Sequence, residues 1–357
     1  MTTYAGGTSS TGSGGTLVQG SGGQTGGGAS GGTPSSGGGT MNASGGSGGA
    51  TSGGSTNGGA ANGGASGAAG AAGAGGGASA CTGKPGARRG KSSQMVSAGG
   101  AMRTFVYYAP QNLDANKPVP IVIIPHGFTM SGDQMFTITG YDKIADREGF
   151  IAIYPDGEPG SLGPWNVGTG VCGLGAFVGG TGDDQSFVDA MISFTEADQC
   201  VDHDHVFMSG FSMGGYFSNE TGCLRKEIRA IAPHSGGTHP LSTCKVGHKP
   251  VILFHFTTDA LISYSCGQGA RDEWATHNGC NTASPMTTMV KGGSCEYYSC
   301  PADGQVALCS FITPSNHAND GFPGHAWSGG AAGQAFSISE TESASELGWA
   351  FFKKYAW

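Results

Sequence analysis

Residues 205–216 read HVFMSGFSMGGY: a short apolar run, then Gly210-Phe211-Ser212-Met213-Gly214, then a further glycine. The central five fit Gly-x-Ser-x-Gly, the turn that lifts a serine onto the rim of a sheet. The chain holds 70 glycines in 357 residues, so the pattern recurs by chance, and it is also met around Ser30 (GASGG) and Ser47 (GGSGG). Such a turn requires a buried strand before it, a helix after it, and glycines where backbone crosses backbone. Ser30 and Ser47 have neither strand nor helix beside them. Ser212 follows the strand-like DHVFMSG and precedes MGGYFSNETGCLRKEIR, which can continue as a helix.

Strand, tight turn, helix is the unit of an α/β protein, and the rest of the C-terminal part repeats it. RTFVYYA (103–109), VPIVIIP (119–125), FIAIYP (150–155), IRAIAP (228–233), PVILFHF (250–256) and QVALCSFI (305–312) are short, apolar and rich in branched residues. Helical patterns lie between them. DDQSFVDAMISFTEADQ (183–199) sets Phe187, Met191 and Phe194 on one face and opens with carboxylates suited to a helix N-terminus. SASELGWAFFKKY opens with Ser343 and Glu346, spaced as a capping box, and ends in two lysines suited to a C-terminus. Continuously apolar strands alternating with helices predict a mostly parallel sheet covered on both faces, with ligands at the carboxyl ends of the strands.

Composition divides the chain near residue 81. Residues 1–80 contain no Lys, Arg, Asp or Glu, and 32 of them are Gly. So little apolar area cannot offset the entropy of ordering, and the segment reads as a disordered, low-complexity Gly/Ser/Ala-rich linker. Residues 81–357 suffice for one large catalytic domain. They carry all the charge, net −8, which gives no support for nucleic acid or an anionic membrane as partner. They also carry all ten cysteines, at 81, 172, 200, 223, 244, 266, 280, 295, 300 and 309. With no Cys-x-x-Cys pair among them, the even count points to disulfides and an oxidising, extracellular location rather than to a metal. No apolar run is long enough to span a membrane, and MTTYAGGTSS lacks the basic start and apolar core of a signal peptide. If exported, the chain has lost its signal or begins inside the natural gene product.

A nucleophilic serine needs a base, and the base needs a group to orient it. Beyond Ser212, the strand PVILFHF runs into TTDA, placing Asp259 on the turn where an acid belongs; Asp272 lies in the helical-looking GQGARDEWATHNG. Three histidines follow Asp259. His277 shares that helix, His317 sits in the polar SNHAND, and His325, in FPGHAWSGG between the last strand and last helix, is the preferred base. The oxyanion formed on an attacked carbonyl needs backbone N–H donors. Met213 follows the serine, and Gly127 and Phe128 lie where VPIVIIP runs into HGFTMSG; His126 reads as a structural hydrogen-bonding residue. His203 and His205 lack a third metal ligand, and the adjacent Asp183 and Asp184 read as helix-capping residues.

Residues 95–357 resemble the secreted esterases that group feruloyl and acetylxylan esterases with polyhydroxybutyrate depolymerases. The likeness rests on the strand-His-Gly junction, the Ser212 turn, the Asp259 turn, REGFIAIYPDG (147–157), WNVGTG (165–170), GTGDDQSFVDAMI (180–192) and GHAW around His325. It implies an α/β-hydrolase fold, Ser212, Asp259 and His325 as nucleophile, acid and base, an oxyanion hole at Phe128 and Met213, and no cofactor or metal. Trp165 and Trp327 are candidates for a substrate platform. Two features depart from the family: Phe256 stands in HFTTD where glycine is usual, which would narrow the pocket, and no separate polymer-binding module is visible. The expectation is a secreted, monomeric serine carboxylesterase, its linker a candidate surface tether, that acts on feruloyl or acetyl esters of plant-cell-wall polysaccharide. An aliphatic polyester depolymerase is the alternative enzyme, and an inactive hydrolase-fold binding module the alternative of another class.

Overall fold

The computed structural model describes residues 81–159, 163–173 and 179–355, all within the unit Gly70–Trp357. The expected linker 1–80 lies outside the described residues. Among the described residues, one sheet holds ten strands. They are β1 (Gly90–Ala98), β2 (Ala101–Ala109), β3 (Val119–Ile123), β4 (Ile151–Pro155), β5 (Val201–Met208), β6 (Ile228–Ile231), β7 (Val251–Phe256), β8 (Asn281–Val290), β9 (Gly293–Ser299) and β10 (Val306–Phe311). The spatial order is β1-β2-β4-β3-β5-β6-β7-β10-β9-β8. The six strands from β4 to β10 run parallel, and antiparallel hairpins close both edges.

Strand alternation splits the apolar residues into two layers. Ile121, Ile123, Ile153 and Met208 face α3 (Asp184–Glu196), α4 (Met213–Leu224) and α5 (Tyr264–His277), where Phe187, Phe217 and Trp274 pack. Val122, Ile124, Ala152 and Phe207 face the other way, against α1 (Gly132–Thr139), α2 (Tyr141–Glu148) and α6 (Ala344–Phe352), where Met135, Tyr141 and Trp349 pack. The central strands are apolar where both their faces are covered, and β5 turns from the polar, partly exposed VDHDH to the buried VFM as it enters the core.

The edge strands β1, β8 and β9 and the first two helices escaped the sequence reading, whereas β2 was read as RTFVYYA. β1 alternates half-exposed and exposed residues, and β8 is exposed along nearly its whole length, so neither has the apolar run of a buried strand. The signals that were present are local. Gly99 and Gly100 both have positive φ, the two-residue turn that joins β1 to β2. Ser131 and Gln134 form the reciprocal capping box of α1. The capping box expected on α6 is half formed: Ser343 Oγ accepts from the Glu346 N–H, but the Glu346 carboxylate turns away to a bidentate pair with Arg147. Lys353, expected to cap the end of α6, reaches Glu148 instead, at 2.9 Å.

All ten cysteines pair: Cys81–Cys200, Cys172–Cys266, Cys223–Cys244, Cys280–Cys300 and Cys295–Cys309. Cys295 and Cys309 sit opposite each other in register on β9 and β10, so two of the bridges staple the exposed β8–β9 hairpin.

Asp183 caps α3, accepting from the Ser186 N–H at 3.0 Å, but Asp184 does more than the expected capping. It is buried against Arg103 of β2 (2.7 Å) and accepts from the Asn166 N–H (2.7 Å), while the guanidinium lies over the Phe187 ring. This pair ties α3, β2 and the 163–167 loop together. Removing one member leaves the other charge buried and uncompensated. Asp184→Ala is therefore expected to destabilise the domain by about 3–5 kcal/mol, read as a lowered urea midpoint with unchanged slope.

Candidate active site

Ser212 stands where β5 ends and α4 begins, with φ 52° and ψ −117°. A non-glycine residue held at positive φ is strained, and the surroundings enforce it. A Cβ on Gly210 would lie 2.0 Å from the Gly214 carbonyl oxygen, and one on Gly214 would lie 2.1 Å from that of Pro125. The glycines of the motif are thus required by contact. The His234 backbone locks the turn, accepting from the Ser212 N–H and donating to the Gly210 carbonyl, both at 2.8 Å. Ser328 N–H donates to His234 Nε2 at 3.0 Å, and burial holds this imidazole well below its usual pKa, hence neutral.

Asp259 follows β7 and His325 follows β10, so the fold brings all three residues to the carboxyl ends of parallel strands. His325 Nδ1–H donates to Asp259 Oδ2 at 2.9 Å and Oδ1 at 3.1 Å, and Ser212 Oγ–H donates to His325 Nε2 at 2.9 Å. The carboxylate only accepts, which fixes the imidazole tautomer. All three side chains are buried, with Ser212 8% exposed. Such a row can pass a proton from hydroxyl to imidazole as the oxygen attacks a carbonyl carbon.

Asp259 Oδ1 also accepts from the Leu261 and Ile262 N–H groups, at 2.9 and 2.8 Å. Burial by itself would raise its pKa, but the neighbouring imidazoles of His255 and then His325 outweigh this and hold the carboxyl well below the usual range. His255 escaped the sequence reading. It is buried on β7, its Nε2–H donating to the Ile262 carbonyl at 2.9 Å and lying 3.4 Å from Asp259 Oδ2. Its signal was a histidine four residues before the acid in HFTTD.

Met213 is the first residue of α4, where a helical N–H has no partner within the helix. Gly127 approaches so closely that a Cβ there would lie 3.1 Å from that of Ser212, and Phe128 and Thr129 (φ 64°) continue this loop around the serine. His126 is structural, as expected: its Nε2 accepts from the Gly157 N–H (2.9 Å) and its Nδ1–H donates to the Gly127 carbonyl (2.7 Å). A cavity of about 260 Å³ opens over Ser212 and His325, walled by Phe128, Met130, Phe211, Leu261 and Ile262. Gly173 completes the wall, anchored by the Cys172–Cys266 bridge.

Several expected residues lie elsewhere. Trp165 is fully buried, stacked on Phe217 with its Nε1–H donating to the His126 carbonyl, so it supports the Gly127–Phe128 loop from behind and offers substrate no face. Trp327 is also fully buried, stacked on His234 and bonded to Ser345 Oγ. Phe256 does not narrow the cavity, because it packs into the core against Phe311. His277 lies on α5, as does Asp272, paired with Arg271. His203 and His205 pair with Glu196 and Asp202, and among the described residues no His/Cys/Asp/Glu group is arranged to hold a metal.

A carboxylate whose pKa is depressed on folding contributes stability above its unfolded pKa and loses it as pH falls toward the folded value. Asp259 is expected to steepen acid denaturation below about pH 4, the unfolded carboxylate pKa. Asp259→Asn should flatten that limb of the stability–pH curve, measured by urea melts from pH 7 to pH 3.

No protein-family model matches the chain. It is 30% identical over 244 residues to feruloyl esterase B of Piromyces equi, covering 60% of this chain and 42% of that protein. It is 37% identical over 185 residues to the probable feruloyl esterase C of Aspergillus clavatus, covering 51% of this chain and 64% of that protein. The chain spans less than two thirds of the length of the first curated relatives that it matches. Among solved structures it superposes on the acetyl xylan esterase from Aspergillus awamori with a TM-score of 0.52, covering 74% of this chain and 99% of that one at 17% identity, which bears on the fold alone. By its mixed sheet and this superposition the chain has an α/β-hydrolase fold, and in sequence it is similar to feruloyl esterases.

Proposed function

We propose that this chain is a serine carboxylesterase that removes feruloyl or acetyl groups from plant-cell-wall polysaccharide. The observation that carries the reading is the buried row Asp259–His325–Ser212, opening on an apolar cavity large enough for a small acyl group. The names of the relatives supply the substrate class.

In the proposed reaction Ser212 Oγ attacks the ester carbonyl while His325 Nε2 takes its proton and Asp259 holds the imidazole in place. The carbonyl oxygen, now negative, is met by the backbone N–H groups of Met213 and Phe128. His325 returns the proton to the departing alcohol oxygen, leaving the acyl group on Ser212. Water, deprotonated by the same imidazole, then releases the acid. Five disulfides fit an extracellular setting, and among the described residues no helix is long and apolar enough to cross a membrane. Residues 1–80 are assigned the role of a tether, with the chemistry confined to 81–357.

Ser212→Ala is expected to lower turnover of methyl ferulate and p-nitrophenyl acetate by on the order of 10⁶, and a serine-directed phosphonate to label Ser212 alone. Near-normal hydrolysis by the variant refutes the mechanism. Faster cleavage of polyhydroxybutyrate than of methyl ferulate and acetylated xylan would move the substrate to aliphatic polyester. Deleting residues 1–79 should leave kcat/KM on these soluble esters within about twofold; a larger loss would show that the N-terminal segment contributes to the site.

A further inference from the structure

A second cavity, of about 490 Å³, adjoins the first and shares Phe322, His325 and Phe336 with it as common walls. The two differ in chemistry. Around the first, Phe128, Met130, Leu261 and Ile262 offer hydrocarbon; the second is lined by His317, Asp320 and Gln334 as well as by glycine and alanine. We propose that the second cavity binds the carbohydrate on the alcohol side of the ester, so that the cleft has an acyl arm and a sugar arm meeting at His325.

The direction follows from the proposed reaction, on which this inference rests. The departing alcohol takes its proton from His325 Nε2, so its oxygen must come within about 3 Å of that atom. The acyl substituent points away from this oxygen across the tetrahedral carbon. An alcohol larger than methanol must therefore continue along the wall that His325 shares with the neighbouring space, and the larger cavity lies there.

Its wall suits a sugar. Pyranose and furanose rings present C–H faces that lie against aromatic rings, while their hydroxyls bond to carboxylates and amides. Phe322 is 48% exposed, and its ring runs nearly parallel to that of Phe336, 14° apart at 6.4 Å between centroids. Phe336 is held at φ 57°, a strained backbone for an aromatic residue, and its carbonyl accepts from the Trp327 N–H, which fixes where the ring stands between the arms. His317 and Asp320 are held in place as well. His317 Nδ1 lies 2.8 Å from Asp320 Oδ2 and its Nε2 lies 3.2 Å from Glu340 Oε2, while Asn316 Nδ2 donates to Glu340 Oε1. Little side-chain entropy then remains to be lost when a hydroxyl binds.

The test uses the full chain and two esters of one acid: methyl ferulate and a feruloylated arabinoxylo-oligosaccharide. For the double variant Asp320→Ala/Gln334→Ala, the ratio of kcat/KM on the oligosaccharide ester to that on methyl ferulate is expected to fall at least tenfold. Calorimetric titration of the unaltered chain with unesterified arabinoxylo-oligosaccharide should show saturable binding, lost in the double variant. A ratio that stays within twofold of the unaltered chain, or the absence of saccharide binding to the unaltered chain, overturns the sugar arm. If the double variant fails to fold, the titration of the unaltered chain decides. If Ser212→Ala still hydrolyses both esters, the serine mechanism fails, and saccharide binding continues to test the arm by itself.

Discussion

The whole site depends on one steric constraint, the crossing at Gly210–Gly214. A serine can be raised above the sheet only if the chain reverses from strand to helix within a residue or two, and that reversal brings the helix backbone against two other segments at once. The Cβ-free approaches of Gly210 to Gly214 and of Gly214 to Pro125 are what that closeness requires. The same contact sets Gly127 beside Ser212, so one packing event places both the hydroxyl and the loop that faces it. The strain at Ser212 is sustained because His234, on the next strand over, bonds the turn on both sides and is itself bonded through Ser328 to the segment that carries His325.

Burial then dictates how the charge in the site is managed. A carboxylate removed from water is costly unless it is fully solvated by donors. Asp259 Oδ1 accepts from two backbone N–H groups and Oδ2 from His325 Nδ1–H, with the His255 imidazole 3.4 Å from Oδ2. The consequence reaches the serine: an ionised carboxylate can only accept, so it holds the His325 proton on Nδ1 and leaves Nε2 as the acceptor facing Ser212. The neighbouring histidines, His126 and His234, are pushed by burial in the opposite sense, toward neutrality, so they hold backbone without adding charge to the row.

What the sequence made legible follows from whether a residue's partner is local. Ser212 could be separated from Ser30 and Ser47 because strand, turn and helix are contiguous, and the seven apolar runs all became strands because strands covered on both faces are apolar throughout. Asp259 and His325 were readable from their places after successive strands. Edge strands β1, β8 and β9 were not, since their stability comes from cross-strand pairing and cystines rather than from an apolar run. The two tryptophans show the opposite failure. An aromatic beside a motif looks like a platform, but whether its face points outward is decided by Phe217 and His234, which are 52 and 93 positions away. His255 was missed for a related reason, because its role appears only once β7 and the turn after it have folded its imidazole back onto Asp259.

The division between strand ends and loops has a consequence for specificity. Ser212 and Asp259 sit at or just beyond strands of the parallel core, where both sheet faces are packed and displacement is expensive, and His325, on the long segment after β10, is held to them by hydrogen bonds. The cavity walls come from loops: Gly173 from one pinned to α5 by Cys172–Cys266, Leu261 and Ile262 from the turn after β7, Phe322 and Phe336 from the long segment between β10 and α6. None of these wall residues belongs to the hydrogen-bonded row Asp259–His325–Ser212. On the proposed reaction the row carries the chemistry and the walls decide which acid and alcohol fit, so those preferences have to be argued from the loops of this chain.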